Sequence, residues 1–554
     1  MTQAQELTQQ DWASNSVASI LTAWEPFGPL DSEKLFNPGL VGTEVLFDRS
    51  NLIYAQAANV NRPTYIVGRK GAGKTAFLRA SAVTGDQPQV CLDTANVYSE
   101  MYGLLRNHAE ARGPLFVAQT AEIWLALFEH VAVLYAVNSA SADDPPVELQ
   151  VLYDYVITEP DWRASGHSRI AGYFIAELNR RIADPSIHGL HSLIDGMTRG
   201  GISFAEVRLA LRVVLAGRDR PLMIVMDNLE DMQSQMAIIQ PAVAGLFHAV
   251  GRMAGQRHEW PFALQICLPS ELWDQLHVIS ANPEKDFAGN YLTIFWTASE
   301  LLHLAATRYR IFMELHHKPQ LSDLMRRTRG SDQMLLRAAL PPTIRNGLGI
   351  EEDPIAYLMR HTQLLPRHLI EILNRVFTAS ARQSVPWAVT ENAIRSGTRQ
   401  GEIVIIKGIF SAHQASYPYA RDVLKRMANR LDICFEARAL HKVFNQEGIK
   451  KLTGGDYDDF LSMLITMGIL GVKVGETVKY NNAEFQYTFD SILNAQEDAD
   501  QLCFHPLFTR LQFEHSLKRL IKQGQRPTYP YGTDTDAAER DYRTVMGPYV
   551  SGRR

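Results

Sequence analysis

An α/β fold built on a parallel sheet is what the sequence predicts, and three observations predict it. Five short apolar runs occur in order, at residues 64–67, 90–92, 222–226, 262–268 and 291–296. Each is bounded by proline, glycine or charge, the pattern of a strand buried on both faces. Stretches of helical periodicity separate the runs, as crossovers between parallel strands require. The third observation is a glycine-rich octapeptide directly after the first run.

That octapeptide, Gly68-Arg69-Lys70-Gly71-Ala72-Gly73-Lys74-Thr75, satisfies the spacing G-x-x-x-x-G-K-[ST] in full. Its glycines allow a tight winding in which consecutive N–H groups face one concavity and hold a phosphate. Lys74 reaches the β- and γ-oxygens as a point charge, and the Thr75 hydroxyl is a ligand for Mg²⁺. Ala76 and the residues after it continue as a helix, whose N-terminus favours an anion. Strand, loop and helix in this order predict a P-loop NTPase domain, with ATP and Mg²⁺ as its cofactors.

A magnesium site of this kind needs an acidic residue at the end of a neighbouring strand. The run 222–226 ends in Asp227, followed by a further buried strand, so Asp227 is the expected partner of Thr75. Asn228 stands where many ATPases carry glutamate. Glu230 and Asp231 lie one turn further on. They orient the attacking water in one reading and cap or solvate the next helix in the other. Glu230 is the candidate base.

The remaining organisation follows from composition and punctuation. With 554 residues, 46% hydrophobic and 21% charged, the chain is of globular type and long enough for roughly three to four units. Residues 1–60 read as an N-terminal extension and 61–300 as the nucleotide domain, with a helical insertion at about 95–215. Residues 301–395 read as a helical lid, 396–520 as a winged-helix-like unit of helices and a two-stranded ribbon around Val472 and Phe485, and 521–554 as a tail. The formal net charge of -5 provides no global positive field for nucleic acid.

The first fifteen residues lack a basic start and an apolar core, so no secretory signal is expected. The longest apolar run, 121–137, is interrupted by Glu122, Glu129 and His130 and is shorter than the roughly 20 residues a membrane crossing needs. A buried helix and no membrane association are expected. Cys91, Cys267, Cys434 and Cys503 lie far apart with no C-x-x-C pair, which argues against a zinc knuckle or disulfide framework and fits a reducing cytoplasm.

Residues 67–75 and Asp227, with the inserted helix carrying Trp124, the segment 294–310 and Leu365-Pro366-Arg367-His368-Leu369-Ile370, resemble bacterial P-loop ATPases of the KAP, STAND and AAA+-like group. Many of these are found in phage-defence or conflict systems. The resemblance covers roughly residues 60–510 and implies an additional-strand P-loop fold with a lid. It also implies a regulatory switch that oligomerises and works with a separate effector. By the same resemblance Arg367, at the start of a lid helix, is a candidate γ-phosphate sensor, with a surface arginine as the alternative. The fourth strand departs from the pattern, ending in Pro269-Ser270-Glu271 and leaving Ser270 as a weak sensor candidate. Arg308 and Arg310 are candidates for an arginine finger acting in trans or for ordinary ion pairs.

Other candidates carry less. His188 and His191 have no ligand-spaced partner to complete a metal site, and Ser165 to Ser168 lack a nucleophile-elbow pattern. Asp456, Asp458 and Asp459 on the expected recognition helix would repel phosphate, while Lys442, Lys450, Lys451 and Lys473 would attract it. Protein contact is the expected use of this unit, with DNA binding open. The function expected is thus an ATP-driven switch. The alternatives are a DNA-binding initiator or loader of the AAA+ type, and a nucleotide-stabilised scaffold without turnover.

Overall fold

In the computed structural model the described residues are 17–35, 43–47, 64–83, 88–92, 94–139, 147–156, 167–216, 220–227, 236–256, 260–287, 291–328, 330–383, 385–486, 500–530 and 533. The five apolar runs are strands β1 (Thr64–Gly68), β2 (Gln89–Leu92), β3 (Leu222–Met226), β4 (Phe262–Pro269) and β5 (Tyr291–Thr293). The helices used below are α1 (Lys74–Val83), α2 (Val117–Asn138), α3 (Phe204–Ala216), α4 (Met236–Gly255), α5 (Ala298–His316), α6 (Pro366–Gln383), α7 (Glu391–Ala412) and α8 (Tyr457–Thr466). The chain forms two compact units. One comprises Ile53–Gly68 and Phe77–Ile294; the other comprises Met1–Leu52, Arg69–Ala76 and Phe295–Arg554.

The first unit holds the large sheet. Its strand order is β2-β3-β4-β1-β5, and every neighbouring pair is parallel. All residues of β3 and β4 are buried, which explains why these strands read as continuous rather than alternating apolar runs. β4 lies between β1 and β3, and the register fixes their ends. Ile266 pairs with both Tyr65 and Met226, while Gly68 pairs with Pro269. Asp227, the next residue after β3, therefore lies at the same carboxyl edge of the sheet as the end of β1. Two strand spacings separate β3 from β1, about 10 Å.

Helices cover this sheet. Among the described residues α2 is the one helix long and apolar enough to cross a membrane, yet 89% of its apolar window is buried inside the protein. Trp124 on α2 donates from Nε1 to the Ala242 carbonyl on α4 at 2.8 Å. The two helices approach closely at Gly245, where a Cβ would stand 2.3 Å from Thr120 Cγ2. The polar interruptions of α2 have buried partners: Glu129 accepts from Arg208 of α3 at 2.7 Å, and His130 contacts the Tyr155 hydroxyl at 2.9 Å. Burial pushes His130 down to about 3, so it packs as a neutral ring.

In the second unit, residues 17–35 pack on α5 and α6. Phe27 donates its N–H to Asn374 Oδ1, and Asn374 Nδ2 donates to the Gly28 carbonyl, both at 2.9 Å. Arg308 Nη1 donates to the Phe27 carbonyl at 2.9 Å. This N-terminal segment is thus knitted into the helices after residue 295. α5 starts with a capping box. Thr297 accepts from the Glu300 N–H at 3.2 Å, and the Glu300 carboxylate accepts from the Thr297 N–H at 2.8 Å. α6 and α7 meet where Gly397 and Gly401 face Val376 and Ile372; a Cβ on Gly397 would come within 2.5 Å of the Val376 backbone.

The C-terminal part of the same unit departs from the sequence expectation in three ways. The ribbon of β7 (Leu470–Glu476) and β8 (Asn481–Glu484) belongs to a five-stranded sheet that also contains β6 (Cys434–Glu436), β9 (Gln501–Phe504) and β10 (Thr528–Pro530), in the order β6-β9-β7-β8-β10. The added strands are only three or four residues long, too short for an alternating pattern. Second, Thr528–Pro530, which the sequence assigns to a tail, pairs in parallel with β8 and is buried. Third, Cys434 and Cys503 form a disulfide, against the expectation of four unpaired thiols. They are 69 residues apart in sequence, but β6 and β9 pair antiparallel and set the two cysteines directly opposite each other.

Candidate functional site

The glycine-rich segment begins where β1 ends and closes at the first turn of α1. Gly71 and Gly73 adopt φ of +93° and +96°, which L residues rarely take. Between them the Ala72 N–H donates to the Arg69 carbonyl at 3.0 Å, forming a tight turn. Lys74 Nζ donates to the same carbonyl at 3.3 Å, so its ammonium is folded over the loop and buried. Thr75 and Ala76 are half-buried. Such a winding turns successive amides toward one concavity, and the start of α1 adds its partial positive charge.

Three residues from elsewhere in the same unit hold the loop. Trp296 donates from Nε1 to the Ala72 carbonyl at 2.8 Å. The Arg367 N–H, in the first turn of α6, points to the Gly71 carbonyl at 3.4 Å. Arg69 donates from Nη2 to Gln363 Oε1 at 2.7 Å. Arg367 is thus brought against the loop through its backbone. Trp296 was legible as a residue but not as a partner of the loop, and Gln363, an uncharged side chain outside every motif, carried no signal at all.

Gly71 has a second constraint. A Cβ there would lie 2.9 Å from Arg367 Cβ and 3.2 Å from its Cδ. Gly71→Ala is expected to weaken nucleotide binding about tenfold, combining left-handed backbone strain of about 1–2 kcal/mol with displacement of α6. Gly113, with the same φ of +93° and nothing within 4 Å of its Cβ position, is the control for stability: Gly113→Ala carries strain alone. Titration and thermal denaturation of both variants check this, and equal nucleotide affinity in Gly71→Ala and the wild type would contradict it.

Asp227 stands half-buried at the carboxyl edge of the sheet in the other unit, directly after β3. Ser270 begins a short 3-10 turn at the end of β4. Glu230, with Asn228 and Asp231, lies outside the described residues. The arginines considered for action in trans are committed within their own unit. Arg308 is buried and bonds the carbonyls of Phe27 and Leu46, and Arg310 pairs with Glu314 and Asp332 at 3.1 Å each. Neither is available as an arginine finger in this arrangement. Among the described residues no group of three or more His, Cys, Asp or Glu could hold a metal ion.

No family model matches this sequence, and no curated protein matches it. Among solved structures, the chain is similar to the ORC2 protein of Aeropyrum pernix in its ADPNP–ADP complexes, at 11% identity and a TM-score of 0.36, over 85% of this chain and 90% of that one. A likeness of that degree leaves the functional assignment to the chain's own geometry, and nothing in these comparisons supports a role in a defence system.

Proposed function

We propose that the chain is a P-loop ATPase of the additional-strand type, a switch that binds ATP with Mg²⁺ and changes state on hydrolysis. The observation that carries this reading is the loop: two left-handed glycines and a buried lysine folded onto its own turn, between a strand end and a helix start. One strand, β4, intervenes between the loop strand and the Asp227 strand, in keeping with the additional-strand type. In this reading backbone amides of the loop between Arg69 and Thr75, the turn-forming Ala72 N–H aside, bind the phosphates together with the Lys74 ammonium, and Arg367 senses the γ-phosphate from the first turn of α6. Thr75 and Asp227 offer hard oxygen donors, the chemistry Mg²⁺ prefers. A bound Mg²⁺ would neutralise charge building on the transferred phosphoryl group. Switches of this kind often act between subunits, and the chain is accordingly assigned to an oligomer.

Asp227→Ala is expected to lower Mg²⁺-dependent hydrolysis at least about a hundredfold while leaving metal-free nucleotide binding within about threefold. Steady-state phosphate release with and without Mg²⁺ checks it. Persistence of Mg²⁺-dependent turnover would move the metal site elsewhere.

A DNA-binding initiator is the second reading. It is favoured by α8 followed by the antiparallel β7–β8 hairpin, a helix-and-wing arrangement. Against it, Asp458 and Asp459 lie in the first turn of α8, and Lys473 on the hairpin is engaged by Glu476 at 2.7 Å. Nucleotide-dependent duplex binding that weakens steeply with salt would favour this reading.

A further inference from the structure

Gln363 is fully buried, and each of its side-chain polar atoms is used. Oε1 accepts from the Arg69 guanidinium at 2.7 Å. Nε2 donates to the carbonyls of Met467 at 3.1 Å and Gly468 at 3.4 Å. An amide presents two donors and one carbonyl acceptor, so this arrangement spans the inventory of the group. Its two ends lie far apart in sequence. One is the second residue of the glycine-rich loop; the other is the turn that ends α8 and leads into β7.

Both ends are shaped to receive it. Gly468 has φ +65°, and a Cβ there would stand 2.5 Å from Gln363 Nε2. The turn is a helix C-terminus of Schellman type, with Gly468 N–H bonded to the Ile465 carbonyl and Ile469 N–H to the Leu464 carbonyl, both at 2.8 Å. Gln363 satisfies carbonyls that this turn leaves over. The backbone around Gln363 is fixed in turn. Its N–H donates to His368 Nδ1 at 3.3 Å, the Leu364 N–H donates to Thr362 Oγ1 at 3.1 Å, and Leu364 holds a left-handed φ of +50°. Non-glycine residues in that region persist only where the surroundings over-determine them. Burial, with the charges of Arg69 and Arg367 adding to it, pushes His368 down to about 3, so its ring stays neutral and able to accept.

We propose that Gln363 is a positioning residue that ties the phosphate-binding loop to the α8–β7 turn, so that occupancy of the loop is transmitted to the C-terminal sheet through Arg69. This rests on the nucleotide-binding reading of the loop. The link needs both halves of one amide: the oxygen holds the loop and the nitrogen holds the turn. Because the two halves are chemically different, they can be separated. Gln363→Glu keeps an acceptor for Arg69 but replaces the donor facing the two carbonyls with a second oxygen. Gln363→Met removes both halves at similar length.

Hydrogen exchange on the full-length chain, followed by mass spectrometry over residues 69–78 and 464–472, tests the proposal. MgATP is expected to slow exchange at both segments of the wild type. In Gln363→Glu it should slow the loop as before, while 464–472 exchanges about tenfold faster than in the wild type and no longer responds. Nucleotide-free Gln363→Met should exchange about tenfold faster at both segments. A wild-type response at 464–472 in Gln363→Glu would overturn the proposal, as would a wild type whose 464–472 segment ignores bound nucleotide. Should the wild type bind no nucleotide, the functional reading of the loop fails. The nucleotide-free comparison then decides the link, and unchanged exchange in Gln363→Met refutes it.

Discussion

Lys74→Ala is expected to weaken ATP binding by at least about a hundredfold, about 3 kcal/mol, with little change in thermal stability in the absence of nucleotide. The size follows from where the ammonium sits. Lys74 is buried at the start of α1 and folded onto the Arg69 carbonyl, so its charge is already largely desolvated before a phosphate arrives. A triphosphate gains a charge-assisted contact there without stripping the cation of a full hydration shell. Lys74→Arg should restore little, because a planar guanidinium does not fit a loop wound for a compact ammonium. Fluorescence titration with a labelled nucleotide measures both variants, and wild-type affinity in Lys74→Ala would remove the loop from the site.

The second large effect concerns stability. Glu352 is buried and accepts from Arg360 Nε at 2.8 Å and Nη2 at 3.1 Å, and also from Asn346 and the Tyr529 hydroxyl. The Arg360 guanidinium is itself buried and lies over the rings of Tyr357 and Tyr529 at 4.9 and 5.4 Å. Glu352→Ala leaves that cation without its carboxylate and should cost about 3–5 kcal/mol. Glu352→Gln, which keeps hydrogen bonds but not the charge, should cost less.

The pH dependence has a definite sign. Burial alone would raise the Glu352 carboxyl, but Arg360 and the hydrogen bonds from Tyr529, Arg360 and Asn346 outweigh it and hold it below its ordinary value. Its contribution is therefore complete above the unfolded value near 4.3 and is lost as pH falls through the lowered folded value. Thermal denaturation between pH 7 and pH 3 should show this acid-side loss in the wild type and a flatter profile in Glu352→Ala. Equal melting temperatures for the two proteins at pH 7 would contradict the account.

What could be read from the sequence divides by the range of the forces involved. The β1 to β5 strands were legible because burial on both faces writes an unbroken apolar run, and the loop was legible because φ above zero demands glycine at set positions. Asp227 was legible as the polar end of such a run. The partners of the loop were not. Gln363 and Trp296 reach the loop from chain segments hundreds of residues away, and no local pattern marks a glutamine that will be fully buried; Arg367 was a candidate through the family resemblance alone.

The same reason accounts for the Cys434–Cys503 bond and for Tyr529. Both depend on which short strands pair, and strands of three or four residues carry too few side chains to show a period. Arg308 and Arg310 went the other way: the family resemblance drew attention to them as a pair, whereas the structure gives them separate partners within their own unit.

The most direct test of the central claim is an equilibrium titration of the full-length chain with ATP in the presence and absence of Mg²⁺. Saturable binding near one nucleotide per chain, strengthened by Mg²⁺ and abolished in Lys74→Ala, is the predicted result. An absence of saturable binding by the wild type, or binding that survives Lys74→Ala unchanged, would contradict it.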